Sequence, residues 1–174
     1  GVDVALIDSG VVPVNGLTEG DKVVNGPDLS FEQEADNLRY LDSFGHGTHL
    51  AGIIAGKDDG AVASHNNKDD FLGIAPDARL VNVKVANAVG AADVSQIIVA
   101  IDWVVEHRND PVRGLNIRVL NLSFGTDGVQ DYVLDPLTFA VEQAWHHGIV
   151  VVTAAGNEGD GTSKLNNPAY DPYV

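Results

Sequence analysis

The chain has no cysteine among its 174 residues, which excludes a disulfide framework and cysteine-ligated zinc or iron–sulfur chemistry. Positive charge is scarce: Lys and Arg total 10 against 25 Asp and Glu, a formal net charge of −15. A surface that negative repels nucleic acid and anionic membranes, so neither is expected as a partner. Long apolar runs are also missing. No stretch approaches the roughly 18 residues needed to cross a bilayer, and the longest, residues 149–155, reads as a buried strand. Residues 1–7 already read as a strand rather than a charged and apolar leader, so an export signal is expected upstream of Gly1. No internal repeat or low-complexity tract divides the sequence. What remains, 44% hydrophobic and 20% charged residues, suits one domain better than two.

Four segments have strand character: residues 2–7, 80–85, 119–123 and 149–154. Their near-continuous Val, Ile, Leu and Ala content predicts strands covered on both faces, as in a parallel sheet. Helical patterns lie between them. Asp93 is positioned to cap a helix whose apolar residues Val94, Ile97, Ile98, Ile101 and Val105 form one stripe. A second helix is expected to start with Asp135 as cap and Pro136 in the first turn, and to stop at Gly148. Alternating strands and helices predict a doubly wound, mainly parallel α/β sheet with helices on both faces and functional groups beyond the strand C-termini. Residues 11–42, 57–70, 107–116 and 158–171 read as loops.

Three polar features fall at the expected edge. Asp8 ends the first apolar run and is followed by Ser9 and Gly10; alone, Asp-Ser-Gly is equally a turn. His46 sits in Gly45-His46-Gly47-Thr48-His49-Leu50-Ala51-Gly52, at the start of a helix, where flanking glycines leave the ring room to meet a partner. His46 and His49 are spaced i, i+3, but no Glu follows His46 as in HExxH and no third ligand is evident, so a metal pair is not expected. Asn157 follows the strongest strand in Ala154-Ala155-Gly156-Asn157. Its amide is either a turn element or a hydrogen-bond donor to a developing oxyanion.

Together with Asn121-Leu122-Ser123-Phe124-Gly125, these segments resemble the subtilisin-like serine proteases, in that family's order and over essentially the whole chain. Leu72-Gly73-Ile74-Ala75-Pro76 and Val83-Lys84-Val85 are similar to the family's link from the histidine helix into the next strand. The resemblance implies a three-layer α/β/α fold and a serine endopeptidase. Asp8 would orient His46, His46 would move the proton between a serine hydroxyl and the leaving amine, and Asn157 would stabilise the oxyanion. Ser9 is placed to brace Asp8. A polypeptide substrate would add as a strand between Ser123-Phe124-Gly125 and Gly90-Ala91-Ala92. Ala154, Ala155 and Gly156 are similar to a wall of the primary specificity pocket, and Val94, Ile97 and Phe124 to an apolar pocket further along the substrate. The family also implies secretion and a folding-assisting pro-segment.

The nucleophile is not evident. The family carries it in Gly-Thr-Ser-Met-Ala or a close variant opening a long helix, whereas Gly161-Thr162-Ser163 continues into Lys164-Leu165 only six residues after Asn157. The expectation is therefore an incomplete catalytic domain that lacks its C-terminal part and is inactive alone. The chemistry requires no cofactor. Leu17 falls where many relatives place a calcium-binding carboxylate, although loop 64–70 offers oxygen atoms of its own. The competing expectation is a noncatalytic peptide-binding protein on the same scaffold; a nucleotide-binding module would need a phosphate loop, which is lacking.

Overall fold

The computed structural model describes residues 1–58, 69–128, 130–161 and 165–174. The elements run β1 (Asp3–Asp8), β2 (Val23–Asp28), α1 (His46–Ala55), β3 (Arg79–Lys84), α2 (Val94–His107), β4 (Ile117–Leu122), α3 (Pro136–His146) and β5 (Val150–Thr153), with two short 3-10 turns around them. The strands form one sheet in the order β2-β3-β1-β4-β5, and every pairing is parallel. The expected α/β architecture is the observed one.

The core lies on both faces because the strand side chains alternate. Ala5, Ile7, Val81, Val83, Ile117, Leu120 and Leu122 pack with Ile97, Ile101 and Val104 of α2 and Leu137, Val141 and Ala144 of α3. On the opposite face Val4, Leu6 and Leu80 pack with Ala51 and Ala55 of α1. The helix starts follow their sequence signals. Asp135 accepts from Leu137 N at 2.8 Å and Thr138 N at 3.3 Å, and the Asp93 amide donates to Gln96 Oε1 at 2.8 Å. Gly148, with φ 80°, ends the turn after α3 in a conformation disfavoured for other residues.

β2 is a strand within a segment expected to be loop. Its sequence Val-Val-Asn-Gly-Pro-Asp carries two residues that ordinarily mark turns, and Pro27 has no amide to donate. Both are tolerated because β2 is an edge strand, and its register against β3 shifts between Asn25 and Asp28. Gly26 is needed for another reason: a Cβ there would sit 3.0 Å from the Trp103 ring and 3.1 Å from Val83.

Chain order and strand order together position the site. From central β1 the chain runs out to edge strand β2, returns through α1 to β3 beside β1, and then crosses through α2 to β4 on the other side of β1. The connections diverge beyond the C-terminal ends of β1 and β4, and a crevice opens where they part.

Candidate active site

Asp8 is the last residue of β1 and is 1% exposed. His46 is the first residue of α1. The two meet in the crevice: His46 Nδ1 lies 2.8 Å from Asp8 Oδ1 and 3.0 Å from Oδ2. Because an ionised carboxylate only accepts hydrogen bonds, Nδ1 is the donor, and in the neutral ring this leaves the lone pair on Nε2. The His46 side chain remains 42% exposed beside its buried partner. A fixed inner carboxylate and an open outer nitrogen suit proton transfer to a group arriving from solvent.

The two glycines flanking His46 serve different purposes. Gly45 has φ 104°, and a Cβ on it would meet nothing within 4 Å, so its demand is conformational. Gly47 is a close approach: a Cβ there would overlap the Gly10 carbonyl oxygen and lie 3.1 Å from Asp8 Oδ1. This contact lets the first turn of α1 press against the end of β1, which brings the ring to the carboxylate.

A cleft of about 160 Å³ opens over the pair, with Asp8, Ser9, His46 and Ala86 at its base. Ser123, Phe124 and Gly125 line one side, and Gly90 and Phe44 the other. Of the two segments expected to flank a substrate strand, residues 123–125 and Gly90 thus face the same space as Asp8 and His46, while Ala91 and Ala92 are not among the residues lining it. Gly90 (φ 74°) lies against the Phe44 ring, in a turn closed by Gly90 N to Asn87 O at 2.9 Å and Asn87 N to Ala91 O at 3.0 Å. Ala92 and Val94 pack beside the core, as does Phe124, while Ile97 is 3% exposed inside it.

Asn157 is exposed in the loop after β5, at the same edge of the sheet, and is not among the residues lining this cleft. Ala154 and Gly156 are half-buried in the same strand end. Loop 64–70 lies outside the described residues except for Asp69 and Asp70, and Ser163 lies outside them altogether. Leu17 is buried beneath α1.

Three features were not legible in the sequence. Asn166 sits between the expected pocket wall and the expected substrate edge: its amide donates to Ala155 O at 3.1 Å, and a Cβ on Gly125 would lie 3.0 Å from its own Cβ. Its Nδ2 donates to Glu158 Oε1 at 3.2 Å, and hydrogen bonds from Asn166 and from nearby backbone amides hold the Glu158 carboxyl below the usual range. The third is Glu32. It accepts from the fully buried Lys84 at 2.7 Å and from Ser43 at 2.6 Å with Oε2, and from Ala88 N at 2.9 Å with Oε1. This carboxylate ties the loop before His46 to the edge carrying Gly90. Burial pushes its pKa up, but those hydrogen bonds outweigh it and hold the pKa below the ordinary value. No local pattern marks Asn166 or Glu32, whose partners lie eight or more residues away, and Glu158 is singled out only by its bond from Asn166.

A parallel sheet with an Asp–His pair at its switch point defines a doubly wound α/β scaffold of the subtilisin kind. The chain belongs to the subtilase family, whose family model matches residues 1–173. It is 36% identical over 177 residues to the serine protease AprX of Bacillus subtilis (strain 168), covering 100% of this chain and 37% of that protein. It is 32% identical over 173 residues to the minor extracellular protease Epr of the same organism, covering 99% and 22%. It is 31% identical over 170 residues to the intracellular serine protease of Paenibacillus polymyxa, covering 98% and 46%. Among solved structures, Sphericase superimposes with a TM-score of 0.73 at 26% identity, covering 97% of this chain and 50% of that one. The chain spans less than half the length of each of these three relatives.

Proposed function

We propose that these residues form the Asp–His part of a serine endopeptidase catalytic domain whose nucleophile is carried outside them. Asp8 holds the His46 tautomer and stabilises its imidazolium, and His46 Nε2 takes the serine proton and returns it to the leaving amine. Asn157 donates to the oxyanion once the serine and substrate are in place. The observation that carries this reading is the 2.8 Å contact between buried Asp8 and the half-exposed His46 ring at the floor of an open cleft. A polypeptide substrate lies as a strand between residues 123–125 and 90–92, with Asn166 and Glu158 shaping the space next to Gly156. The side chain entering that space meets an amide and a carboxylate, which favours polar or basic groups there.

The enzyme works outside the cell after removal of a pro-segment. Its acidic surface suits that setting; the lack of cysteine leaves the compartment open, and of the relatives one is named for an extracellular and one for an intracellular location. The decisive experiment uses the full-length protein, an unfolded polypeptide substrate and an active-site fluorophosphonate. Hydrolysis, labelling at a serine outside residues 1–174, and loss of both functions in His46→Ala are expected. Peptide binding without hydrolysis or labelling would identify a noncatalytic protein on this scaffold. Labelling at Ser163 would overturn the placement of the nucleophile.

A further inference from the structure

Behind the Asp8–His46 pair lies a second carboxylate, Asp42, which the proposed chemistry does not use. It is partly buried and accepts five hydrogen bonds. Oδ1 takes Gly45 N at 2.6 Å, Phe44 N at 3.1 Å and Ser9 Oγ at 2.8 Å. Oδ2 takes Thr48 N at 2.8 Å and Thr48 Oγ1 at 2.6 Å. Helix α1 has no side-chain cap on its own N-cap residue Gly45, so Asp42 satisfies amides at the start of the helix from three positions upstream. Burial raises its pKa, but the bonds from Thr48, Gly45 and Ser9 outweigh that and hold it below the ordinary value, which keeps it an acceptor at neutral pH.

Ser9 links this carboxylate to the catalytic pair. Its hydroxyl has one proton to give and two carboxylates within reach: Asp42 Oδ1 at 2.8 Å and Asp8 Oδ1 at 3.2 Å. Its oxygen also accepts from Gly47 N at 2.9 Å, so one side chain touches β1, the first turn of α1 and the Asp42 loop. Asp8 Oδ1 is already bound by Ser9 N at 2.7 Å and His46 Nδ1 at 2.8 Å. A third donor at that oxygen would draw charge from it and weaken its hold on the imidazole.

We propose that Asp42 is a positioning residue that tunes the Asp8–His46 hydrogen bond by competing for the single proton of Ser9. With Asp42 ionised, the Ser9 hydroxyl points away from Asp8, and the Asp8 carboxylate remains a strong acceptor for His46 Nδ1–H. Neutralising Asp42 turns the hydroxyl toward Asp8 Oδ1 and weakens that bond. Ser9 thus braces Asp8 through its amide, while its hydroxyl serves the second carboxylate. The proposal rests on the endopeptidase reading for its kinetic consequence, but not for its spectroscopic one.

The test uses the full-length protein and the variants Asp42→Asn, Ser9→Ala and the double variant. Two quantities are read: the downfield proton resonance of His46 Nδ1, and kcat and KM on a peptide substrate. Asp42→Asn is expected to move the resonance upfield and to lower kcat about tenfold with KM unchanged, the loss expected for weakening one charge-assisted hydrogen bond. Ser9→Ala, which removes the competing proton altogether, is expected to leave the resonance near its original position. In the Ser9→Ala background the Asp42→Asn substitution should no longer move it. An unmoved resonance in Asp42→Asn, or a shift that persists without the Ser9 hydroxyl, would overturn the proposal and leave Asp42 as a helix anchor only. If Asp42→Asn does not fold, Ser9→Ala decides alone: a strong downfield shift would mean that its hydroxyl had served Asp8, contrary to the proposal. Should the unmodified protein hydrolyse nothing, the endopeptidase reading fails while the resonance measurements still judge the hydrogen-bond competition.

Discussion

Replacing Gly47 by alanine tests how rigidly the Asp8–His46 pair is held. Gly47 lies within the helical first turn of α1, where alanine is intrinsically better by about 1 kcal/mol. Propensity alone therefore predicts a more stable protein. Packing predicts the reverse, because the new Cβ overlaps the Gly10 carbonyl oxygen and comes within 3.1 Å of Gly10 N and Asp8 Oδ1. These are backbone atoms and a buried carboxylate, so no flexible side-chain tip can swing aside. The helix start is itself tied down by Thr48 to Asp42 at 2.8 and 2.6 Å and by Gly47 N to Ser9 Oγ at 2.9 Å. Forcing an extra carbon into such a contact costs about 1–3 kcal/mol, and rigid neighbours place the cost at the upper end, for a net loss of about 2 kcal/mol. The displacement falls on His46, and a misplacement of about 1 Å in a catalytic group costs about 10²-fold in rate. Urea denaturation of the full-length protein should show a lower midpoint with unchanged slope, and peptide hydrolysis a kcat lower by about that factor. A variant as stable as the parent, with activity within threefold, would refute the reasoning, since the end of β1 and the first turn of α1 would then separate without cost.

On the proposed oxyanion role, Asn157→Ala in the full-length protein should lower kcat about 10²- to 10³-fold with KM little changed, the loss established for the oxyanion asparagine of subtilisin; steady-state kinetics check it. Lys84→Met takes the cation from the Glu32 carboxylate, which keeps its bonds from Ser43 and Ala88, and removes the donor that the Leu38 and Leu41 carbonyls now share, at a cost of about 3 kcal/mol in denaturant unfolding. Adding Glu32→Gln should recover part of that loss. Asp42 and Glu32 have lower pKa values folded than unfolded, so the stability they contribute is intact above about pH 4 and is lost as the pH falls further, because the unfolded chain takes up protons first. Thermal melts between pH 3 and 6 should show this, with a shallower slope in Asp42→Asn. Glu142 acts with the opposite sign: burial and the Asp171 carboxyl raise its pKa, so Glu142→Gln should raise the melting temperature at pH 7 and have little effect in acid.

The elements easiest to read were those whose signals are local. The apolar runs of β1, β3, β4 and β5 mark those strands by composition alone, and the Asp135-Pro136 start of α3 is a capping signal contained within a few residues. β2 escaped because Gly26 and Pro27 carry turn chemistry that only an edge position tolerates, and an edge position is a property of the assembled sheet. Gly45 and Gly47 show the same division at neighbouring positions. Flanking glycines suggest space for the ring, yet Gly45 answers to a positive φ and Gly47 to the carbonyl of Gly10, a contact distant in the chain.

Local chemistry was enough to specify the parallel α/β class, the strand ends at which Asp8, Ser123 and Asn157 sit, and the helix that begins at His46. Each follows from apolar periodicity or from capping and turn signals, which act over a few residues. Folding in three dimensions was needed to bring His46 Nδ1 within 2.8 Å of Asp8, to carry Ser9 to Asp42, and to set Asn166 beside Gly156. Those contacts join residues far apart in the chain, and hydrogen-bond direction, burial and steric overlap have no counterpart in sequence spacing.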